Sequence, residues 1–153
     1  MRVRLIFVGK TRDANLRALI AEYLKRLTRF ARCEVTELSE RRAQTAALCK
    51  EEEGKRICES LRADALTVLL DVEGKQWSSQ ELAAEVGRWQ DAGTKEVVFI
   101  VGGAYGVSDK VKERANVTWS LSSLTLTHEM ARVVLLEQIY RAYTIVHGLP
   151  YQK

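Results

Sequence analysis

Two short stretches of this sequence carry the residue types that could do chemistry. The first is Val97 to Val101 followed at once by Gly102-Gly103, an apolar run that breaks into glycines. The second is Leu121 to Leu126, LSSLTL, where small hydroxyl residues alternate with leucines just before His128 and Glu129. Adjacent glycines let the backbone turn sharply and come close to a ligand or to another loop. Ser122, Ser123 and Thr125 can bond locally to backbone groups, while Leu121, Leu124 and Leu126 call for burial. A loop held in this way can present N–H and C=O groups to a flat heterocycle; the bland alternative is an edge strand. His128 could serve as a proton acceptor or merely as a helix-start residue.

Other chemistries lack their residues. GGAYG is not GxGxxG, and no GxxxxGK[ST] occurs. Cys33, Cys49 and Cys58 have no CxxC spacing, so neither a disulfide framework nor a zinc site is expected. No metal-ligand cluster, nucleophile–base pair or paired carboxylate emerges. His147, near a helix end, reads as a cap.

The elements that must position these stretches follow from periodicity. Strands are expected at residues 1–8, 33–38, 65–71, 97–101 and 117–121. Helices are expected from Asp13 to about Phe30, over 39–62 with Ser39 as cap, over 79–91 after Ser78, near 108–114, and from Thr127 or His128 to about His147. Glu73-Gly74-Lys75 reads as a turn. Leu48, Ile57 and Leu61 are the expected core residues of the second helix. Strands alternating with helices predict an α/β fold, a mostly parallel sheet with helices on both faces, in one domain over residues 1–153. In such sheets ligands bind at the carboxyl ends of the strands, which is where both stretches fall.

The last helix is apolar over a wide arc, from Met130 through Val133, Val134, Leu135, Leu136, Ile139, Tyr140, Tyr143 and Ile145. That breadth predicts burial on two sides and a homodimer contact. Its polar residues are few: Arg132, Glu137, Gln138 and Arg141, with Glu137 and Arg141 four apart and able to pair.

At 46% hydrophobic and 29% charged residues the composition is that of a globular protein, and no run of apolar residues is long enough to span a bilayer. A cytosolic, membrane-free protein is expected. Charge is uneven. Residues 1–62 hold 15 Lys/Arg against 9 Asp/Glu, whereas residues 63–153 hold 9 against 11. The basic half, with residues 12–32 foremost, is the expected surface for a polyanion.

Taken together, LLDVEGKQWSSQELAA, IVGGAYG, WSLSSLTLTH, RVVLLEQIYRAYTI and Pro150-Tyr151 resemble the RlmH type of SPOUT methyltransferase, along the whole chain. The resemblance implies an α/β knot, in which the chain from about Leu121 threads a trefoil. It implies S-adenosylmethionine as cofactor, held by Leu70, Gly102 and Leu121, Ser122, Ser123, Leu124, Thr125 and Leu126, with no metal. It implies methylation of N3 of a pseudouridine in the helix 69 loop of 23S ribosomal RNA, on the assembled ribosome, by a homodimer whose sites borrow residues from the neighbouring subunit. Within that reading Arg141 would stabilise charge on the base, Tyr151 would orient it, and His128 would accept a proton. The chain ends Tyr151-Gln152-Lys153 where the family usually has Tyr-His and a basic residue, and Gln152 cannot titrate. The rival class is a non-enzymatic module that binds ribosomal RNA through the basic half.

Overall fold

A computed structural model describes residues 1–151; Gln152 lies outside them. Five strands and five helices alternate: β1 (Arg2–Val8), α1 (Ala14–Leu27), β2 (Arg32–Leu38), α2 (Ala46–Ser60), β3 (Leu66–Gln76), α3 (Ser79–Asp91), β4 (Glu96–Val101), α4 (Asp109–Arg114), β5 (Val117–Ser120) and α5 (His128–Val146). The strands form one sheet in the order β2-β1-β4-β3-β5, and every pairing is parallel. All five carboxyl ends therefore share one edge.

The central strands are apolar throughout because helices cover both faces. Val3, Leu5, Phe7, Val97, Phe99, Val101 and Val68 pack with residues of α1, α3 and α5. Ile6, Val8, Val98, Ile100 and Leu69 meet Ile57 of α2 and Val111 of α4 on the other face. The helices start where side chains can take up free N–H groups. Asp13 accepts from Asn15 N and Leu16 N, Ser78 and Glu81 form a reciprocal capping box, and Thr127 accepts from Met130 N.

Three local expectations need correction. The helix expected over 39–62 begins at Ala46, capped by Thr45 rather than Ser39. Residues 41 and 43 instead bond to side chains of α2: Cys49 Sγ donates to Arg41 O and accepts from Ala43 N, and Glu53 Oε1 accepts from Arg41 N. The inward face of α2 is thereby Cys49, Glu53, Gly54 and Ile57, and Leu48 is left 49% exposed. Gly54 is required there, since a Cβ would lie 2.0 Å from Ser108 Oγ beside α4. Glu73-Gly74-Lys75 is not a turn between elements. β3 continues to Gln76, and its register with β5 shifts between Leu70 and Lys75, so residues 71–74 bulge outward. Gly74 allows this, as a Cβ would stand 2.7 Å from the backbone of Thr118 and Trp119. Finally, much of the wide apolar arc of α5 is covered within the chain. The helix packs on both α1 and α3, and Leu135, Leu136, Ile139, Ala142 and Tyr143 are fully buried.

The cysteines are free. Burial pushes the Cys33 thiol up to about 11. The fold thus favours the neutral thiol. That contribution is whole below the unfolded value and is lost as pH rises toward the folded one. Denaturant midpoints at about pH 8 and pH 10 should fall further for the wild type than for Cys33→Val; equal falls would count against it. A pair of glycines tests the packing. Gly74→Val should cost about 2 kcal/mol or more through overlap with β5. Gly87→Ala, with nothing within 4 Å of the new Cβ, should stabilise α3 by up to about 1 kcal/mol. Chemical denaturation reads both.

Candidate active site

At the shared edge the ends of β3, β4 and β5 and the start of α5 enclose a cavity of about 630 Å³. Its wall includes Leu70, Gly102, Leu121, Ser122, Leu124, Leu126 and His128. Ser123 and Thr125 do not line it. Asp71 and Val72 reach it because the bulge in β3 pushes them past the strand end. Among the described residues Asp71 and Glu129 are its charged residues, and no lysine or arginine lines it.

The two glycines owe their place first to their own loop. A Cβ on Gly102 would lie 2.8 Å from Val107 Cγ1, and one on Gly103 would lie 3.2 Å from Val8 Cγ1 and 3.3 Å from Glu53 Oε2. Gly106, at φ +79°, closes the turn by donating its N–H to Gly103 O over 3.1 Å. The tight turn keeps β4's end clear of side chains, and the cavity occupies that space. Across it the serine loop bonds to itself: Ser120 Oγ donates to Ser122 O (3.0 Å), and Leu124 N donates to Ser122 Oγ (2.9 Å). Leu124, expected to be buried, is 74% exposed at the cavity rim.

The start of α5 is fastened to the β1–α1 connection. Arg132 is fully buried; its guanidinium donates to Val8 O (2.7 Å) and Thr11 Oγ1 (2.8 Å) and lies over the Phe7 ring. Burial pulls its pKa down, while the carboxylates of Glu37, Glu129 and Glu40 push back. Glu129 accepts the backbone N–H groups of Arg12 and Asp13. Glu129 therefore clamps the fold, and His128 stands beside it in the cavity wall.

Arg141 and Tyr151 come together, but elsewhere. Glu137 accepts from Arg141 Nε (3.0 Å) and Nη2 (2.5 Å) and from the Tyr151 hydroxyl (3.1 Å). Arg141 lies 4.8 Å above the Tyr151 ring, and Tyr140 meets that ring edge-on. The hydrogen bonds that Arg141 donates to Glu137 raise its pKa, so its charge is secure. Burial, with bonds to Tyr23 and Glu137, pushes the Tyr151 phenol up and keeps it neutral. His128 and Arg141 stand thirteen residues apart on one helix, about 20 Å along its axis. The length of α5 thus separates the cavity from the Arg141–Tyr151 cluster.

Sequence reasoning missed Trp119, Asp71 and Ala104 in the cavity wall. Trp119 stands directly before the serine loop, and its Nε1 is buried without a partner among the described residues. It also missed that Tyr151 shares Glu137 with Arg141; only the i,i+4 pair was readable. Among the described residues no group of three or more His, Cys, Asp or Glu side chains could hold a metal ion, and no helix is long and apolar enough to cross a membrane.

Comparison with known proteins agrees with this geometry. The family described as "Predicted SPOUT methyltransferase" matches residues 1–152. Proteins named ribosomal RNA large subunit methyltransferase H are similar over almost their whole length. The one from Geotalea daltonii is 42% identical over 99% of both chains. The one from Geobacter sp. strain M21 is 43% identical over 99% of this chain and 98% of its own. The one from Bacillus cereus strain B4264 is 41% identical over the whole of both. With a match of that extent laid over an all-parallel sheet whose cavity sits at the strand ends, the chain belongs to the SPOUT methyltransferase family and is of its RlmH type.

Proposed function

We propose that this protein uses S-adenosylmethionine to methylate N3 of a pseudouridine in the helix 69 loop of 23S ribosomal RNA, on the assembled ribosome in the cytoplasm, and that it does so as a homodimer. The observation that carries the reading is the coincidence of the strand-end cavity with Leu70, Gly102 and the serine loop, the positions that the RlmH-type resemblance assigns to the cofactor. The names of its relatives support ribosomal RNA of the large subunit as the substrate.

The residues present fit that cofactor. The volume of about 630 Å³ lies within the usual range of small-molecule sites. Leucines 70, 121 and 126 offer apolar walls to a flat purine, and a Cβ at Gly102 would disturb the turn that leaves room for it. Bound there, the cofactor would supply an activated methyl group on a sulfonium. Asp71 and Glu129 lie in the wall but are engaged, Asp71 by Lys112 at 3.6 Å and Glu129 by the N–H groups of Arg12 and Asp13, so the apolar walls carry most of the fit. Ser123 and Thr125 would contribute through backbone groups of the same loop rather than through side chains in the wall.

On the base, positioning supplies much of the rate, because displacement at the methyl carbon needs an in-line approach. The pseudouridine N3–H must leave for the nitrogen to attack. Arg141 stabilises the negative charge that this leaves on the ring, and secure protonation suits it to that task. Tyr151, neutral and hydrogen-bonded, orients the base and does not act as the base catalyst. His128 is the proton acceptor at the cavity. The 20 Å between His128 and Arg141 within one protomer means that the complete site needs Arg141 and Tyr151 from a second copy. The partly exposed stripe of α5 that runs from Met130 through Val134 and Arg141 to Ile145 is the remaining surface for that contact.

Mass mapping of large-subunit RNA from cells with and without the gene tests the reaction. Loss of one methyl group from the helix 69 loop is expected, and an unchanged map would refute it. Calorimetry should show cofactor binding to the wild type and at least about tenfold weaker binding to Gly102→Ala with its fold retained. A protein that binds ribosomal RNA but no cofactor would be the non-enzymatic module. The shared site is tested by mixing. Arg141→Ala and Gly102→Val should each be inactive, yet refolded together they should regain roughly a quarter of wild-type activity, since half the dimers are hybrid and each hybrid has one whole site. No recovery in proven hybrid dimers would place both residues in one protomer's site.

A further inference from the structure

The carboxyl ends of β1 and β2 bound a second groove, of about 390 Å³, lined in part by Lys10, Arg12, Glu37, Glu40 and Arg42. The cavity chemistry uses none of these. The acids in the groove are already engaged: Glu40 lies 3.4 Å from Arg12, and both glutamates face the charge of the buried Arg132. Among the described residues Lys10, Arg41 and Arg42 enter no salt bridge. We propose that the groove and the adjoining Arg41-Arg42 loop dock the phosphate backbone of the substrate RNA next to the nucleotide being modified. The proposal rests on the reading that this enzyme acts on RNA, and it narrows the docking surface from the basic helix of residues 12–32 to the strand-end edge.

Three observations carry it. The first is place. The sheet is parallel, so groove and cofactor cavity open on the same edge, separated by two strand spacings, about 10 Å. An RNA strand that delivers a base to the cavity carries flanking phosphates across that distance within a few nucleotides. The second is charge. Cations without carboxylate partners can release counterions from RNA without first breaking an internal pair. On α1, Arg26 is held by Glu22 and lies over Tyr23 and Tyr140, whereas Arg17 and Lys25 enter no salt bridge among the described residues, so it is place and support rather than charge alone that favour the groove.

The third is support. Exposed arginines on a loose loop would lose much of their gain to ordering. This loop is instead held from beneath by two buried side chains one turn apart on α2. Cys49, 4% exposed, bonds to Arg41 O (3.2 Å) and Ala43 N (3.3 Å), and Glu53, 7% exposed, accepts from Arg41 N (3.1 Å). The same Glu53 carboxylate lies against Gly103, the turn that shapes the cavity. The phosphate-binding loop and the cofactor turn thus share one support, which fixes the offset between the docked backbone and the methyl donor.

The test is binding of a labelled fragment of large-subunit ribosomal RNA as a function of salt, with methyl transfer to ribosomes and cofactor calorimetry on the same proteins. Replacing Lys10, Arg41 and Arg42 by alanine should weaken RNA binding roughly tenfold or more and lower the salt slope by about one for each cation removed, with cofactor affinity unchanged. Lys55→Ala with Arg88→Ala, which removes exposed cations elsewhere, should change the slope little. Cys49→Ala alters no charge, so a fall in RNA affinity that Cys49→Ser restores would show the support acting through the loop. A wild type that methylates ribosomes while the triple variant keeps full affinity and slope would overturn this inference and leave the proposed function intact. A wild type that binds RNA through these cations but transfers no methyl group would do the reverse.

Discussion

The buried guanidinium of Arg132 is the interaction on which the strand-end architecture depends. A lone charge moved into an apolar interior costs several kcal/mol even after relaxation. Here no carboxylate pairs with it directly. It is held by the Val8 carbonyl, the Thr11 hydroxyl and the face of Phe7, with three glutamates farther off. Such a charge is tolerated only if α5 begins in one place, against the end of β1. Glu129, one turn earlier, takes the N–H groups of Arg12 and Asp13 and fixes the same junction. The chain must then cross from β5, at one side of the sheet, to β1 in the few residues from Leu121 to Thr127. The serine loop is the crossing between these two fixed ends, and it lines the cavity.

Glycine and the β3 bulge supply the other walls. Residues 71–74 leave the sheet because Gly74 lets β5's backbone lie against β3, and the strand rejoins its neighbour at Lys75. Gly102 and Gly103 fold β4's end back on Val107, Val8 and Glu53. Each wall is thus set by backbone contacts too close for any side chain.

Much of this was legible beforehand. Runs such as Leu5 to Val8 and Val97 to Val101 announce buried parallel strands, and Asp13, Ser78 and Thr127 announce helix starts at the places they occupy. The site's location followed from two glycines and a hydroxyl-rich loop at strand ends. What escaped depends on distant residues. Nothing local to residues 39–45 says that Cys49 and Glu53 will capture the backbone of 41–43 and delay the helix. The Glu73-Gly74-Lys75 stretch has turn composition and only the partner strand makes it a bulge. The breadth of α5's apolar arc was read as a dimer contact, yet two neighbouring helices of the same chain cover most of it. The trefoil knot implied by the family for the chain from about Leu121 has no periodicity at all, because threading is a property of the path and not of any residue.

The length of α5 then sets what one protomer can do alone. Its first turn lies at the cavity, and its later turns carry Glu137 and Arg141, where the carboxylate also gathers the Tyr151 hydroxyl. Within one chain that cluster neutralises itself: the arginine is satisfied by Glu137, and the phenol is kept from ionising. In the proposed dimer it would reach only the cavity of a second copy, and the partly exposed stripe of α5 is where that copy would meet it. Under the proposed function, catalytic competence and association would be one event, because the helix that borders the cavity at one end carries Arg141 at the other.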